Sequence, residues 1–188
     1  MSLMKKTALH RWIEQRCQDL SMHAWPDTVL VVEIEKQTLT LVEAGKPAQV
    51  YTVSTSKNPP SCVENSFGTP SGLHEIAEKI GADAPAGTVF ESRVPIGNMS
   101  DMSQDELKPN LITSRILWLR GLEPGVNAGP GVDTYNRYVY IHGTQQEYRI
   151  GQPFSGGCVE MKNADIMELF SRVGIGTWVA IDSNIPLS

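Results

Sequence analysis

Val29-Leu30-Val31-Val32-Glu33-Ile34, Thr38-Leu39-Thr40-Leu41-Val42 and Gln49-Val50-Tyr51-Thr52-Val53-Ser54 are three apolar or alternating runs. They are held apart by Glu35-Lys36-Gln37 and by Gly45-Lys46-Pro47. Side chains branched at Cβ pack well on a pleated surface, and short polar turns join neighbouring strands antiparallel, so residues 28–55 are predicted to form a β-meander. Farther on, 88–94, 115–119, 138–142 and 177–181 read as further strands, and 57–72 reads as a loop carrying Pro59, Pro60, Gly68, Pro70 and Gly72. Residues 97–110 and 121–136 are polar and aperiodic, and excursions of that length in a compact domain commonly shape a binding site. One helix is expected after Cys158, with Asn163 as N-cap, a stripe of Ile166, Leu169, Phe170 and Val173, and a stop at Gly174 and Gly176.

The whole chain is 188 residues, the size of one domain, and at 40% hydrophobic and 20% charged it can bury a core. Lys and Arg number 16 against 21 Asp and Glu, a net charge of −5. That balance excludes a general nucleic-acid binder, which needs a basic face for the phosphates. No apolar run approaches the ~18 residues that cross a bilayer. Met1-Ser2-Leu3 ahead of Met4 reads as an appended lead. Lys5-Lys6 resembles the charged start of a secretory signal, but His10, Arg11, Glu14, Gln15 and Arg16 interrupt the apolar stretch that should follow. Leu9, Trp12, Ile13 and Leu20 fall instead at helical spacing. The expected division is a helix and lead-in over 1–27, one β-rich domain over 28–182 and a tail over 183–188. A cytoplasmic location is expected, or a periplasmic one if a leader precedes this chain.

Cysteines stand far apart at Cys17, Cys62 and Cys158, with no CxxC pair, which argues against both a disulfide framework and a four-ligand zinc site. His10 and Cys17 would share a helix face in a packing role, and Cys62 reads as a small filler or exposed thiol. The chemistry concentrates in Tyr138-Val139-Tyr140-Ile141-His142-Gly143-Thr144 and Ser155-Gly156-Gly157-Cys158-Val159-Glu160-Met161. His142 ends an apolar strand and Cys158 follows a glycine turn 16 residues later. A thiol is a weak nucleophile until a base takes its proton, and a histidine at a strand end supplies a base from a fixed direction. Glycines before the cysteine let the backbone turn tightly and aim N–H groups at a developing oxyanion. Gly143 leaves a bare carbonyl for the other imidazole nitrogen. The competing reading is a buried structural cysteine, since cysteine is among the most buried residue types.

His142-Gly143, eleven residues, then Ser155-x-Gly157-Cys158-Val159 closely resembles the active-site signature of the L,D-transpeptidase catalytic domain family, the YkuD fold. Ser54-Thr55-Ser56-Lys57-Asn58, Thr69-Pro70-Ser71-Gly72 before Leu73-His74-Glu75-Ile76, and Arg115-Ile116-Leu117-Trp118-Leu119 extend the likeness over about residues 29–181. The resemblance implies a mostly β domain of packed, partly mixed, sandwich-like sheets. It implies an enzyme that cleaves the bond between the third residue of a peptidoglycan stem peptide, at its L-centre, and the terminal D-alanine. Cys158 then matches the nucleophile, His142 its base and Gly143 the orienting carbonyl. Gly157 and Cys158 match the oxyanion hole, and Ser155 the serine that opens the motif on the substrate side. No metal or organic cofactor is implied. The implied partner is a stem tetrapeptide or muropeptide, with carbapenems as acylating inhibitors.

Two departures stand beside the nucleophile: Gly156 where many members carry histidine, and Glu160 where many carry arginine or asparagine. Glu160 is expected either to receive a substrate amine or to turn away from the cleft. Among Arg115, Arg120, Arg137 and Arg149, the first choice for a substrate carboxylate is Arg149, which lies between the two motif halves. His74 reads as a hydrogen-bonded packing residue, and Trp118 and Tyr140 as core. Two rival functions remain. A cysteine amidase of papain-like type is disfavoured because there the cysteine precedes the histidine. A wall-binding domain without catalysis is favoured by Glu160. Within the enzyme reading, transpeptidation stands against L,D-carboxypeptidation of tetrapeptides in wall recycling.

Overall fold

The computed structural model describes residues 7–16 and 26–187. It is mostly β. Helix α1 (Ala8–Arg16) precedes strands β1 (Thr28–Glu33), β2 (Thr38–Glu43), β3 (Lys46–Thr52), β4 (Gly72–Ile80), β5 (Thr88–Glu91), β6 (Val94–Asn98), β7 (Ile112–Gly121), β8 (Tyr140–Thr144) and β9 (Val159–Met161), then helix α2 (Asn163–Arg172) and strand β10 (Trp178–Asp182). All ten strands join one mixed sheet in the order β3-β2-β1-β10-β4-β7-β5-β6, with β8 branching from β7 and carrying β9. The pairs β1–β10 and β8–β9 are parallel, and the rest antiparallel.

The continuous apolar run of β1 has a physical reason. Successive side chains of a strand point to opposite faces, and both faces here are covered. Val29 and Val31 join Leu9 and Ile13 of α1, with Leu73 and Ala180, under one face. Leu30 and Val32 join Leu39, Leu41, Leu117, Ile141, Met161 and the α2 residues Ile166, Leu169 and Phe170 in the main core. Each such side chain contributes ~1.5–3 kcal/mol on leaving water. Helix α1 is capped reciprocally: Thr7 Oγ1 accepts from the His10 N–H at 3.3 Å, and His10 Nδ1 accepts from the Thr7 N–H at 3.3 Å. Cys17 and Leu20, placed by the sequence on the same helix, lie outside the described residues. No helix among the described residues is long and apolar enough to cross a membrane.

The meander forms as read, with β3 beginning at Lys46 rather than after Pro47. Two readings are corrected, and one short strand is added to them. The single strand expected over 88–94 is a hairpin, β5–β6, turning at Ser92 (φ 49°) and Arg93 (φ 70°). Asn163 does not cap α2 from outside. It is the first helical residue, and Lys162 occupies the cap position without a side-chain bond. The Glu147 carboxylate accepts the Asn163 N–H at 2.7 Å instead, an anion at the positive end of the helix. The residues after Cys158 form the short strand β9 before any helix begins.

Candidate active site

Strand β8 carries the site. It lies between β7 and β9, with His142 opposite Ile116 on one side and opposite Glu160 on the other. The next residue has no room for a side chain: a Cβ on Gly143 would stand 2.6 Å from both Thr113 O and Asn163 Oδ1. The Gly143 carbonyl meets His142 Nδ1 at 2.8 Å. A carbonyl only accepts, so Nδ1 carries the proton and Nε2 is the nitrogen left for Cys158.

The turn that delivers Cys158 is tied from within. Ser155 N–H donates to Thr55 O at 3.1 Å, anchoring the turn on the strand end of the meander. Ser155 Oγ donates to Cys158 O at 2.6 Å and accepts the Gly157 N–H at 3.2 Å. Gly157 sits at φ 128°, a conformation other residues rarely adopt. Of the two expected oxyanion donors, Gly157 is thus already engaged by Ser155. Cys158 is half-buried against Phe90, Ile116, Trp118 and Tyr140. Its Sγ lies 3.4 Å from the Tyr140 N–H, which donates to it, and 3.6 Å from Tyr138 O, to which the thiol can donate.

His142 is buried, and burial alone would push its imidazole down. The hydrogen bond and charge of Cys158 oppose this most strongly, followed by the Glu160 carboxylate and the Gly143 carbonyl, and they raise it to about 9.

A cleft of about 260 Å³ opens beside the thiol, lined among others by Phe67, Arg137, Tyr138, Gly156, Gly157 and Cys158. Arg137 is its cation. The guanidinium donates to Gly68 O at 2.8 Å and Ser61 O at 3.0 Å, which fastens the 57–72 loop over the site and leaves donors to spare. The first choice from sequence, Arg149, is corrected: its guanidinium stacks on Phe154 at 4.3 Å and does not line this cleft. Glu160 is corrected as an amine receptor in the cleft, because it is only 2% exposed and its Oε2 has no hydrogen-bond partner. Phe67 (φ 55°) and Tyr138 (φ 57°) were not anticipated. Both are more than half exposed on the cleft rim, in a backbone region costly for bulky side chains. Trp118 and Tyr140 are core, as read. Trp118 stacks on Tyr135 with centroids 4.1 Å apart, and Arg93 covers it from the β5–β6 hairpin at 4.8 Å. His74 is also a packing residue, its Nδ1 on Gly72 O at 3.1 Å and its Nε2 on Thr134 Oγ1 at 3.2 Å. Cys62 Sγ donates to Ser71 O at 3.4 Å.

Residues 27–181 match the sequence model of YkuD, the L,D-transpeptidase catalytic domain. The chain belongs to the L,D-transpeptidase catalytic domain family. It is 40% identical over 48 residues to YqjB of Bacillus subtilis (strain 168), a protein assigned by name to the L,D-transpeptidases, over 26% of this chain and 27% of that one. Among solved structures, an L,D-transpeptidase from Mycobacterium smegmatis superposes with a TM-score of 0.51 at 17% identity, covering 83% of this chain and 58% of that one. An L,D-transpeptidase from Xylanimonas cellulosilytica gives 0.51 at 20% identity, covering 86% and 63%. At that identity the likeness speaks for the fold. This chain spans only part of the length of each relative.

Proposed function

We propose that this member of the family is a cysteine acyl-transfer enzyme acting on peptidoglycan stem peptides. The observation that carries the reading is the fixed imidazole: His142 is held through Nδ1 on the Gly143 carbonyl, which leaves Nε2 for Cys158, a thiol that lines an open cleft. His142 takes the Cys158 proton, and the thiolate attacks the carbonyl carbon of the bond between the third residue's L-centre and D-alanine. The Cys158 N–H donates to the oxyanion, the more so because Ser155 already holds Gly157. As the tetrahedral centre collapses, the C–N bond breaks, His142 returns its proton to the departing amine, and a thioester to Cys158 remains. An acceptor amine then displaces the thiolate, with His142 taking the amine proton. Arg137 attracts the carboxylate of the terminal D-alanine.

Incubation with disaccharide tetrapeptide, alone and with excess D-methionine, followed by mass analysis of every product, tests the reading. Exchange of D-alanine for D-methionine, or formation of dimers, is expected. Tripeptide as the sole product in both arms would replace transpeptidation with L,D-carboxypeptidation, in which water is the acceptor. Unchanged tetrapeptide in both arms would overturn the substrate class.

A further inference from the structure

Glu160 is a buried acid that the reaction as written does not use. It stands directly opposite His142 in the parallel β8–β9 pair, and residues so paired project from the same face of the sheet. It also lies two residues beyond Cys158. It is 2% exposed, and its Oε2 is out of contact with water and has no hydrogen-bond donor. A carboxylate in that state is costly unless a positive charge lies close by.

Among the described residues, the charged and titratable groups around it leave one candidate for that charge, since Lys162, two residues on, is exposed to solvent. The isolated bridge partner Ser54 brings no charge. Arg149, whose carbonyl accepts from Ser54 Oγ, turns its guanidinium onto Phe154. From β7, Arg115 donates to the carbonyls of Ala82 and Ala84. On β8, Tyr140 sits edge-on to His142 at 6.5 Å and takes its hydrogen bond from Arg93. Arg137 faces the loop carbonyls and the Cys158 side of the cleft. At the head of α2, Asn163 is neutral and already bonded to Glu147. The cation opposite Glu160 is therefore His142 itself.

We infer that Glu160 is a positioning residue for His142, a buried carboxylate on the adjacent strand that keeps the imidazole protonated and so ready to give its proton to the departing amine. The inference rests on Cys158 and His142 forming the proposed pair. It explains why a chain with an acid in this place keeps a working arrangement: the charge that opposes a thiolate at Cys158 is offset by the imidazolium between them. The proton balance is unchanged, since the proton that leaves Cys158 resides on Nε2 until the C–N bond breaks. Glu160 acts on the ring through charge alone.

The test follows the His142 ring by NMR across pH and does not depend on any substrate. It compares the full chain with Glu160→Gln, and Cys158→Ala with Cys158→Ala/Glu160→Gln. Removing the carboxylate should lower the His142 midpoint by about one pH unit or more in both backgrounds, the usual effect of an opposite charge at close range. Midpoints that coincide in both comparisons would overturn the inference. Glu160→Asp, which keeps the charge, should stay near the parent. A fall in Glu160→Asp as large as in Glu160→Gln would assign the effect to packing and overturn it. In the unmodified chain a midpoint at or below the ordinary 6.5 would overturn it without any variant. A shifted midpoint in a protein that ignores stem peptides would uphold Glu160 and remove only the substrate reading.

Discussion

Two histidines are buried in this sheet, and they titrate in opposite directions. His74, on β4, is wholly enclosed between the Gly72 carbonyl and the Thr134 hydroxyl, and desolvation takes it down to about 4. His142, on β8, is enclosed almost as completely and rises to about 9. Both rings touch a backbone carbonyl, so neither burial nor that hydrogen bond separates them. The difference lies in the neighbours: Cys158 and the Glu160 carboxylate act upward on His142, whereas the Arg137 cation acts downward on His74. A buried histidine becomes a proton carrier only where the fold spends anionic neighbours on it.

The contrast can be broken at each end. The largest effect is expected from Cys158→Ala, which should abolish acyl transfer while leaving the melting temperature near that of the parent, because the deleted atom is small. Retention of a tenth of the activity would refute the nucleophile. Next comes His142→Ala, expected to cost about 10²–10⁴-fold in rate, the usual worth of a positioned acid–base group. A loss under fivefold in steady-state assays would make His142 as ordinary as His74.

The other histidine should speak through stability instead. Its folded value, about 4, lies below the ordinary 6.5, so its contribution is whole above pH 6.5 and is lost as pH falls toward 4. The loss is on the order of 3 kcal/mol by pH 4. His74→Gln should remove that acid-side loss and leave turnover at neutral pH unchanged. Parallel melts of the two proteins between pH 4 and 7 would contradict it. The smallest effect belongs to the other described thiol. Cys62→Ala should be nearly silent in turnover, and a carbapenem adduct seen by intact-protein mass spectrometry should persist in it and vanish in Cys158→Ala.

Much of this was legible in the chain because it rests on local pattern. The meander follows from period-two apolarity, and His142, Gly143 and Cys158 follow from a strand end and a glycine turn. What escaped depends on long-range placement. The β5–β6 hairpin carries Ser92-Arg93 where two left-handed residues are needed, and the pairing that signals such a turn is usually Asn-Gly. Strand β9 is three residues long, too short for a period to show. Arg149 looked favourable by its nearness in sequence to the motif, whereas Arg137 reaches the cleft because the 57–72 loop folds back to meet it. The burial of Glu160 is fixed by its strand partner, which no spacing within its own segment reveals.

The Asn163 side chain gathers several elements at one point. Its Oδ1 accepts from Thr113 Oγ1 at 2.7 Å and Ser114 Oγ at 2.5 Å, and its Nδ2 donates to Thr144 O at 3.0 Å. Two successive β7 hydroxyls reach it because the β7–β8 register slips between Thr113 and Ile116 and Ser114 turns left-handed at φ 64°. The same oxygen is what a Cβ on Gly143 would strike. These positions therefore cannot drift one at a time. Gly143→Ala is blocked by the Thr113 carbonyl as well as by this amide, and shortening Asn163 strands the hydroxyls that Thr113 and Ser114 direct at it. Related chains that depart from this pattern should change Asn163, Thr113 and Ser114 together, a covariation traceable to one amide, while Gly143 stays fixed by the backbone it faces.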